Sequence, residues 1–224
     1  MQLKKIHTIT GEIFLISGLH IGAGNDTIEI GGLDQPIIKH PITGAPYSPG
    51  SSIKGKMRSL LEVAYWGERP SSNAFIFKKG KPCNCGELDC PACNIFGNSN
   101  RESNTGPTRI LVRDANLSAS DQEKFERGEL PMEVKYENII NRVSGVADHP
   151  RPLERVPAGV SFTFTITYKE FADDPQEFLD YIFKGMKLIE LDAIGGNSSR
   201  GCGQIQFKNV TLDGEPIDLA PVTV

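Results

Sequence analysis

Between residues 161 and 168 the chain alternates Phe162, Phe164, Ile166 and Tyr168 with Ser161, Thr163, Thr165 and Thr167. That two-residue period predicts a strand with one buried face. A bent strand is expected over 6–17, where Ile, Thr and Phe surround Gly11, with shorter strands over 108–114 and 204–210. The period turns helical at two places. Ile53, Met57, Leu60, Leu61 and Ala64 predict a helix capped by Ser51 or Ser52 and ending near Tyr65. Phe178, Leu179, Ile182, Met186 and Ile189 predict a second helix over 175–191, closed by Gly195 and Gly196. A solvated helix is expected over 118–128, and irregular structure over 66–80.

The order strand, helix, strand, strand, helix, strand predicts an α+β, ferredoxin-like fold, the split βαβ or RRM-like arrangement. Two helices should cover one face of an antiparallel sheet. RNA-recognition domains share that topology. Their aromatic signature is missing here, so any RNA contact falls to the loops.

Composition alters this picture little. With 38% hydrophobic and 23% charged residues, the 224-residue chain reads as an ordinary globular protein with one sizeable core and insertions, or two small domains. No apolar run has the length of a membrane span, and residues 1–5 lack a signal-peptide core, so a cytoplasmic protein without membrane contact is expected. The net charge of −4 argues mildly against a nucleic-acid partner, but the cations cluster at 54–58, 109–113, 142–155 and Arg200. A basic face on an acidic body remains open.

Four stretches carry candidate chemistry. Residues 50–56 fit G-x-x-x-x-G-K, yet Met57 stands where a P-loop needs Ser or Thr, and Pro49 breaks the strand that should precede it. An NTPase is disfavoured, although free N–H groups at a helix start beside lysines still attract phosphate. A capped surface helix with ordinary lysines is the plainer alternative. Cys83, Cys85, Cys90 and Cys93 offer four thiolates in one short loop, enough for a closed structural zinc site; an iron–sulfur cluster or redox thiols are the alternatives. The glycine-rich run 195–203 permits close approach to a ligand, with Arg200 able to fork onto a phosphate. His20 and Asp34 alone read equally well as a structural histidine and a turn aspartate.

Taken together, the segments I-G-A-G-N-D, G-G-L-D-Q-P-I-I-K, P-G-S-S-I-K-G-K-M-R, C-P-A-C-N-I-F-G, N-R-V-S-G, L-E-R-V-P-A-G and G-G-N-S-S-R-G-C-G occur here in the order in which they run through a known family. They resemble the RAMP superfamily of CRISPR systems, and within it the Csm-type backbone subunit of type III-A effector complexes. The resemblance implies a single domain over 1–224: a ferredoxin-like palm with a zinc-binding insertion at about 66–106 and a thumb at about 115–157, its hairpin drawn from 133–155. It implies that copies stack head to tail along CRISPR RNA beside other Csm-type subunits, and that each cuts bound target RNA at regular intervals. Asp34 takes the position of the catalytic aspartate, which works with a divalent metal, Mg or Mn. The RNA-binding set becomes His20, Ser51, Ser52, Lys54, Arg58, Arg142, Arg151, Gly196, Ser198 and Arg200. A binding-only scaffold, the equivalent type III-B subunit and a zinc-scaffolded adaptor are the rival readings.

Overall fold

The computed structural model describes residues 2–24, 35–66 and 80–224. Strand β1 (Leu3–Leu15) is followed by the two-residue β2 (Tyr47–Ser48) and helix α1 (Gly50–Tyr65). The short helix α2 (Pro91–Phe96) precedes β3 (Ile110–Val112), β4 (Ala115–Leu117) and α3 (Ala119–Glu126). Strands β5 (Glu133–Ile140) and β6 (Ala147–Arg155) come next. The rest is β7 (Ser161–Phe171), α4 (Glu177–Leu191), a 3-10 turn at Ser198–Arg200, β8 (Ile205–Leu212) and β9 (Glu215–Pro216).

The main sheet runs β2-β4-β7-β1-β8-β9, with β3 also on β7, and its pairings are antiparallel. Its centre, β8-β1-β7 with β3 and β4 outermost, has the strand order of the ferredoxin-like arrangement. Phe162, Phe164, Ile166 and Tyr168 of β7 are buried on the face shared with Ile9, Ile13 and Leu15 of β1. Each such side chain contributes about 1.5–3 kcal/mol by leaving water. Gly11 makes the bend in β1. The register against β8 shifts between Thr10 and Glu12, and a Cβ on Gly11 would stand 2.9 Å from the Lys208 carbonyl oxygen.

Helix α1 buries Ile53, Met57 and Leu61, and α4 buries Phe178, Ile182, Met186 and Ile189. Gly185 lets them touch, because a Cβ there would collide with the Met57 side chain. The other sheet face carries Thr10 and Thr211, hydroxyl to hydroxyl at 2.8 Å, and Phe14 under the Lys208 ammonium at 3.3 Å from the ring centroid.

Local details differ from expectation. Pro49, not Ser51 or Ser52, is the N-cap of α1, without a side-chain cap. Ala64 is exposed while Glu62 is buried, because the last turns of α1 lie against the cysteine loop instead of the sheet. Strands β2 and β4, of two and three residues, are too short to show a period. Because β4 joins the main sheet, the chain leaves that sheet only after Leu117. It forms α3, capped by Ser118 onto the Asp121 N–H, and then a separate β5–β6 hairpin. The expected irregular stretch 66–80 lies largely outside the described residues. No helix among the described residues is long and apolar enough to cross a membrane.

Candidate functional site

The cysteine loop folds as its spacing suggests. Cys90 caps α2 and accepts from the Cys93 N–H at 3.4 Å, Pro91 fills the first helical position, and Asn94 holds the carbonyls of Leu88 and Cys90, both at 2.8 Å. Gly86, at φ 73°, makes the turn between the cysteine pairs. The sulfurs of Cys83 stand 3.7, 3.7 and 3.8 Å from those of Cys85, Cys90 and Cys93, and Cys85 is 3.7 Å from Cys93. A tetrahedron with metal–sulfur bonds of about 2.3 Å has edges of about 3.8 Å. The four cysteines therefore fit a metal ion. Hydrogen bonds with Cys90 and Cys93 push the Cys83 thiol pKa down, while hydrogen bonds with Cys83 and Cys93 push that of Cys90 up.

This loop is bolted to α1. Arg58 donates to the carbonyls of Cys83 and Gly97, the latter at 3.0 Å, and Glu62 accepts the Cys83 N–H at 3.2 Å. All three guanidinium nitrogens of Arg58 are thus engaged within the chain. Of the basic set expected to meet RNA, Arg58 is the one given a structural task.

The start of α1 is occupied by a carboxylate of the chain itself. Asp114 accepts the Gly50 N–H at 2.7 Å, and Gly50 must lack a side chain because a Cβ would collide with the Val112 carbonyl. Ser51 is exposed and Ser52 half-buried, its N–H bonded to the Pro49 carbonyl at 3.0 Å. Lys54 differs from its neighbours. It has no ion pair among the described residues, and burial, then the charges of Arg58 and Lys169, push its pKa down. It lines a cavity of about 450 Å³ with Ser51, Ser59, Lys81 and Pro82. Among the described residues, this half-buried ammonium shares the cavity with Lys81 and with the mutually paired Arg58 and Glu62, an excess of positive charge that suits an anion.

Lys56 pairs with Asp192 at 2.6 Å, which places this end of α1 beside the glycine-rich loop. There the Gly196 N–H donates to the His20 carbonyl at 2.8 Å, and a Cβ on Gly195 would collide with that carbonyl. His20 is buried beneath the loop, its Nδ1 2.8 Å from the Glu154 carbonyl. Ser198 and Arg200 are exposed. Arg200 donates to Glu137 of the hairpin at 2.6 Å, and Lys135 returns a bond of 2.6 Å to the Arg200 carbonyl. Arg142 lies at the hairpin tip and Arg151 on β6, both exposed. His20, Gly196, Ser198, Arg200 and the hairpin thus adjoin one another, with the first turns of α1 alongside.

Asp34 lies outside the described residues. The segment around it starts and ends on a short ladder: Ala23 N–H to the Pro36 carbonyl at 3.1 Å and Ile38 N–H to the Ile21 carbonyl at 2.8 Å. Glu154, buried, secures the far side by accepting the Ile37 N–H at 3.0 Å and the Lys39 ammonium at 2.5 Å. Sequence reasoning did not single out Asp114, Glu62, Glu137, Lys135 or Glu154. The i,i+4 spacing of Arg58 and Glu62 and the i,i+2 spacing of Lys135 and Glu137 were available as local signals, whereas Asp114 and Glu154 meet their partners only through tertiary packing.

A ferredoxin-like core with a four-cysteine loop, a projecting hairpin and cations gathered where hairpin, glycine loop and helix start meet defines a class. The model of the RAMP superfamily matches residues 12–206, and the chain belongs to that superfamily. Within it, the chain is 41% identical to a Methanothermobacter thermautotrophicus protein named CRISPR system Cms endoribonuclease Csm3, over 97% of this chain and 90% of that one. The crystal structure of Methanopyrus kandleri Csm3 matches with a TM-score of 0.63 and 28% identity, covering 90% of this chain and 75% of the other. A chain from a Csm3–Csm4 subcomplex of a type III-A CRISPR-Cas interference complex matches with a TM-score of 0.60 and 30% identity, over 95% and 80%.

Proposed function

We propose that the chain is the Csm-type backbone subunit of a type III-A CRISPR effector complex, binding CRISPR RNA and cutting the target RNA paired to it. The observation that carries this reading is the 41% identity to a Csm3 endoribonuclease along nearly the whole chain. Lys54, without an ion pair among the described residues and lining a cavity beside α1, supports it. In this reading the body is a palm and the β5–β6 hairpin a thumb, stacking against further copies and other Csm-type subunits along the guide. Lys54, Ser51, Ser52, Gly196, Ser198 and Arg200 hold the guide's backbone, with Arg142 and Arg151 along the thumb. Arg58 serves instead to fix the metal loop.

Cutting begins when a ribose 2′-hydroxyl of the target attacks the adjacent phosphorus in line. Asp34 takes the hydroxyl proton as general base, the bond from phosphorus to the 5′-oxygen breaks, and that oxygen leaves with a proton from solvent. The products are a 2′,3′-cyclic phosphate and a 5′-hydroxyl. A divalent ion, Mg or Mn, would offset the charge growing on the phosphoryl oxygens. Apart from the four cysteines, the described residues gather no group of ligands for one. The cysteines hold zinc as a closed scaffold with no open position.

The test is target cleavage by the assembled complex carrying Asp34→Asn. Guide binding and assembly should persist while cleavage falls on the order of a hundredfold to ten-thousandfold. An assembled variant that cuts at the wild-type rate would leave the chain a binding-only scaffold.

A further inference from the structure

Glu137 stands where the hairpin meets the glycine-rich loop, with only 17% of its side chain exposed. One carboxylate oxygen accepts from Arg200 at 2.6 Å. The other is buried, lies 3.4 Å from the Lys135 ammonium, and has no hydrogen bond. Arg151 is the cross-strand neighbour of Glu137 in the hairpin register. Among the described residues, three cations therefore belong to one small region around the Glu137 carboxylate, which makes a close hydrogen bond with only one of its oxygens. The other oxygen has the Lys135 ammonium beside it at ion-pair distance but without the short, aligned hydrogen bond that Arg200 gives the first. Arg200 meanwhile spends one terminal nitrogen on Glu137, with a longer 3.4 Å contact to Asn197, and its side chain is 59% exposed.

We propose that Arg200, Lys135 and Arg151 form a phosphodiester seat in which the Glu137 carboxylate stands in for phosphate until RNA arrives. The inference rests on the RNA-binding reading above and adds Lys135 as a contact and Glu137 as a resident competitor. A phosphodiester presents two non-bridging oxygens, as the carboxylate does, and they suit the open fork of Arg200. Glu137 keeps the arginine extended in the free chain and gives way on binding.

Counterion release makes this measurable. Counterions condensed on the RNA leave in proportion to the net positive charge brought to its phosphates, and an arginine that keeps its own carboxylate close by brings none, so its contact adds little to the salt dependence of binding. Binding of a labelled single-stranded RNA of mixed sequence to the full-length chain would be titrated across salt concentrations. Glu137→Gln should bind about threefold to tenfold tighter at low salt and steepen the slope by about one ion. Arg200→Ala should leave the slope unchanged in the wild-type background and flatten it by about one ion in the Glu137→Gln background. Glu137→Asp, which shortens the reach to Arg200 but keeps the charge, should move affinity in the same direction and serves if glutamine disturbs the hairpin. Glu129→Gln, removing an equal charge elsewhere, should change neither quantity. Unchanged affinity and slope in both Glu137 variants would overturn the stand-in role. Weaker binding would overturn it too and make Glu137 a group that positions Arg200. Absence of RNA binding by the wild type at every salt concentration would instead sink the RNA reading itself.

Discussion

Arg58 and Glu62 stand one helical turn apart on α1 and close on each other, Nε to Oε1 at 2.7 Å, with 17% and 4% of their side chains exposed. The same carboxylate oxygen accepts the Cys83 N–H, and the guanidinium takes the Cys83 and Gly97 carbonyls. The pair is a bracket that seats the cysteine loop on the helix. Removing one partner leaves a buried charge without compensation, which typically costs about 3–5 kcal/mol. Arg58→Ala should therefore lower stability to denaturant by about 3 kcal/mol and loosen the metal, as read by chemical unfolding and metal content. A variant with wild-type stability and lost RNA binding would return Arg58 to the phosphate contacts.

The cysteine loop makes a separate prediction. Purified without chelators, the chain should carry about one zinc. Cys90→Ser should lower the metal content and the melting temperature together, because Cys90 is fully buried and also caps α2. Adding a strong chelator to the wild type should reproduce the shift, and zinc should reverse it. Elemental analysis that finds no metal, with a melting temperature indifferent to the chelator, would turn the cluster into four packed thiols.

Much of this architecture was legible in the sequence because periodicity reports burial. The alternation from Phe162 to Tyr168 predicts the central strand, and Ile53, Met57 and Leu61 face inward as their spacing demands. Ala64 fails the same rule, since the period says that a face is buried but not where the neighbouring layer ends. The four cysteines were visible because metal ligation imposes close local spacing. Arg58 shows the opposite case. Its place on a basic helix start suggests phosphate, and only tertiary packing shows its nitrogens spent on backbone carbonyls. Asp114, which accepts the Gly50 N–H, and Glu137, which pairs with Arg200, are 64 and 63 residues from those partners and carry no local sign of them.

Acid should weaken the fold through Asp213. Lys5 approaches one of its oxygens at 2.7 Å, the Thr8 N–H donates to the other at 2.8 Å, and His7 lies 2.9 Å away. Together they hold its pKa down at about 2. Because the folded value lies below the unfolded one, near 3.9, the carboxylate's contribution is complete above about pH 4. It is lost as pH falls through about 2. Denaturant midpoints followed from about pH 5 to about pH 2 should decline, and Asp213→Asn should remove part of that decline while lowering stability at neutral pH. Parallel curves for the two proteins would show that Asp213 gains nothing on folding.

Lys54 offers the sharpest separation of binding from folding. Burial and the cations Arg58 and Lys169 disfavour its ammonium, and among the described residues no acid offsets the cost. A charge held at a loss in the free chain is repaid only when an anion enters. Lys54→Met keeps the stem and removes that charge, so thermal stability should be unchanged or slightly higher. RNA binding should weaken alike for every base sequence, and its salt dependence should flatten by about one ion. The pH dependence follows from the same cause. Since the folded pKa lies below 10.5, RNA affinity should begin to fall at a lower pH than an ordinary lysine would dictate, and a bound phosphate should push that pKa back up. Filter binding at several salt concentrations and pH values measures both effects. If Lys54→Met unfolds the chain, or binds RNA with the wild-type salt slope, the cavity beside α1 is not where the backbone of the guide is held.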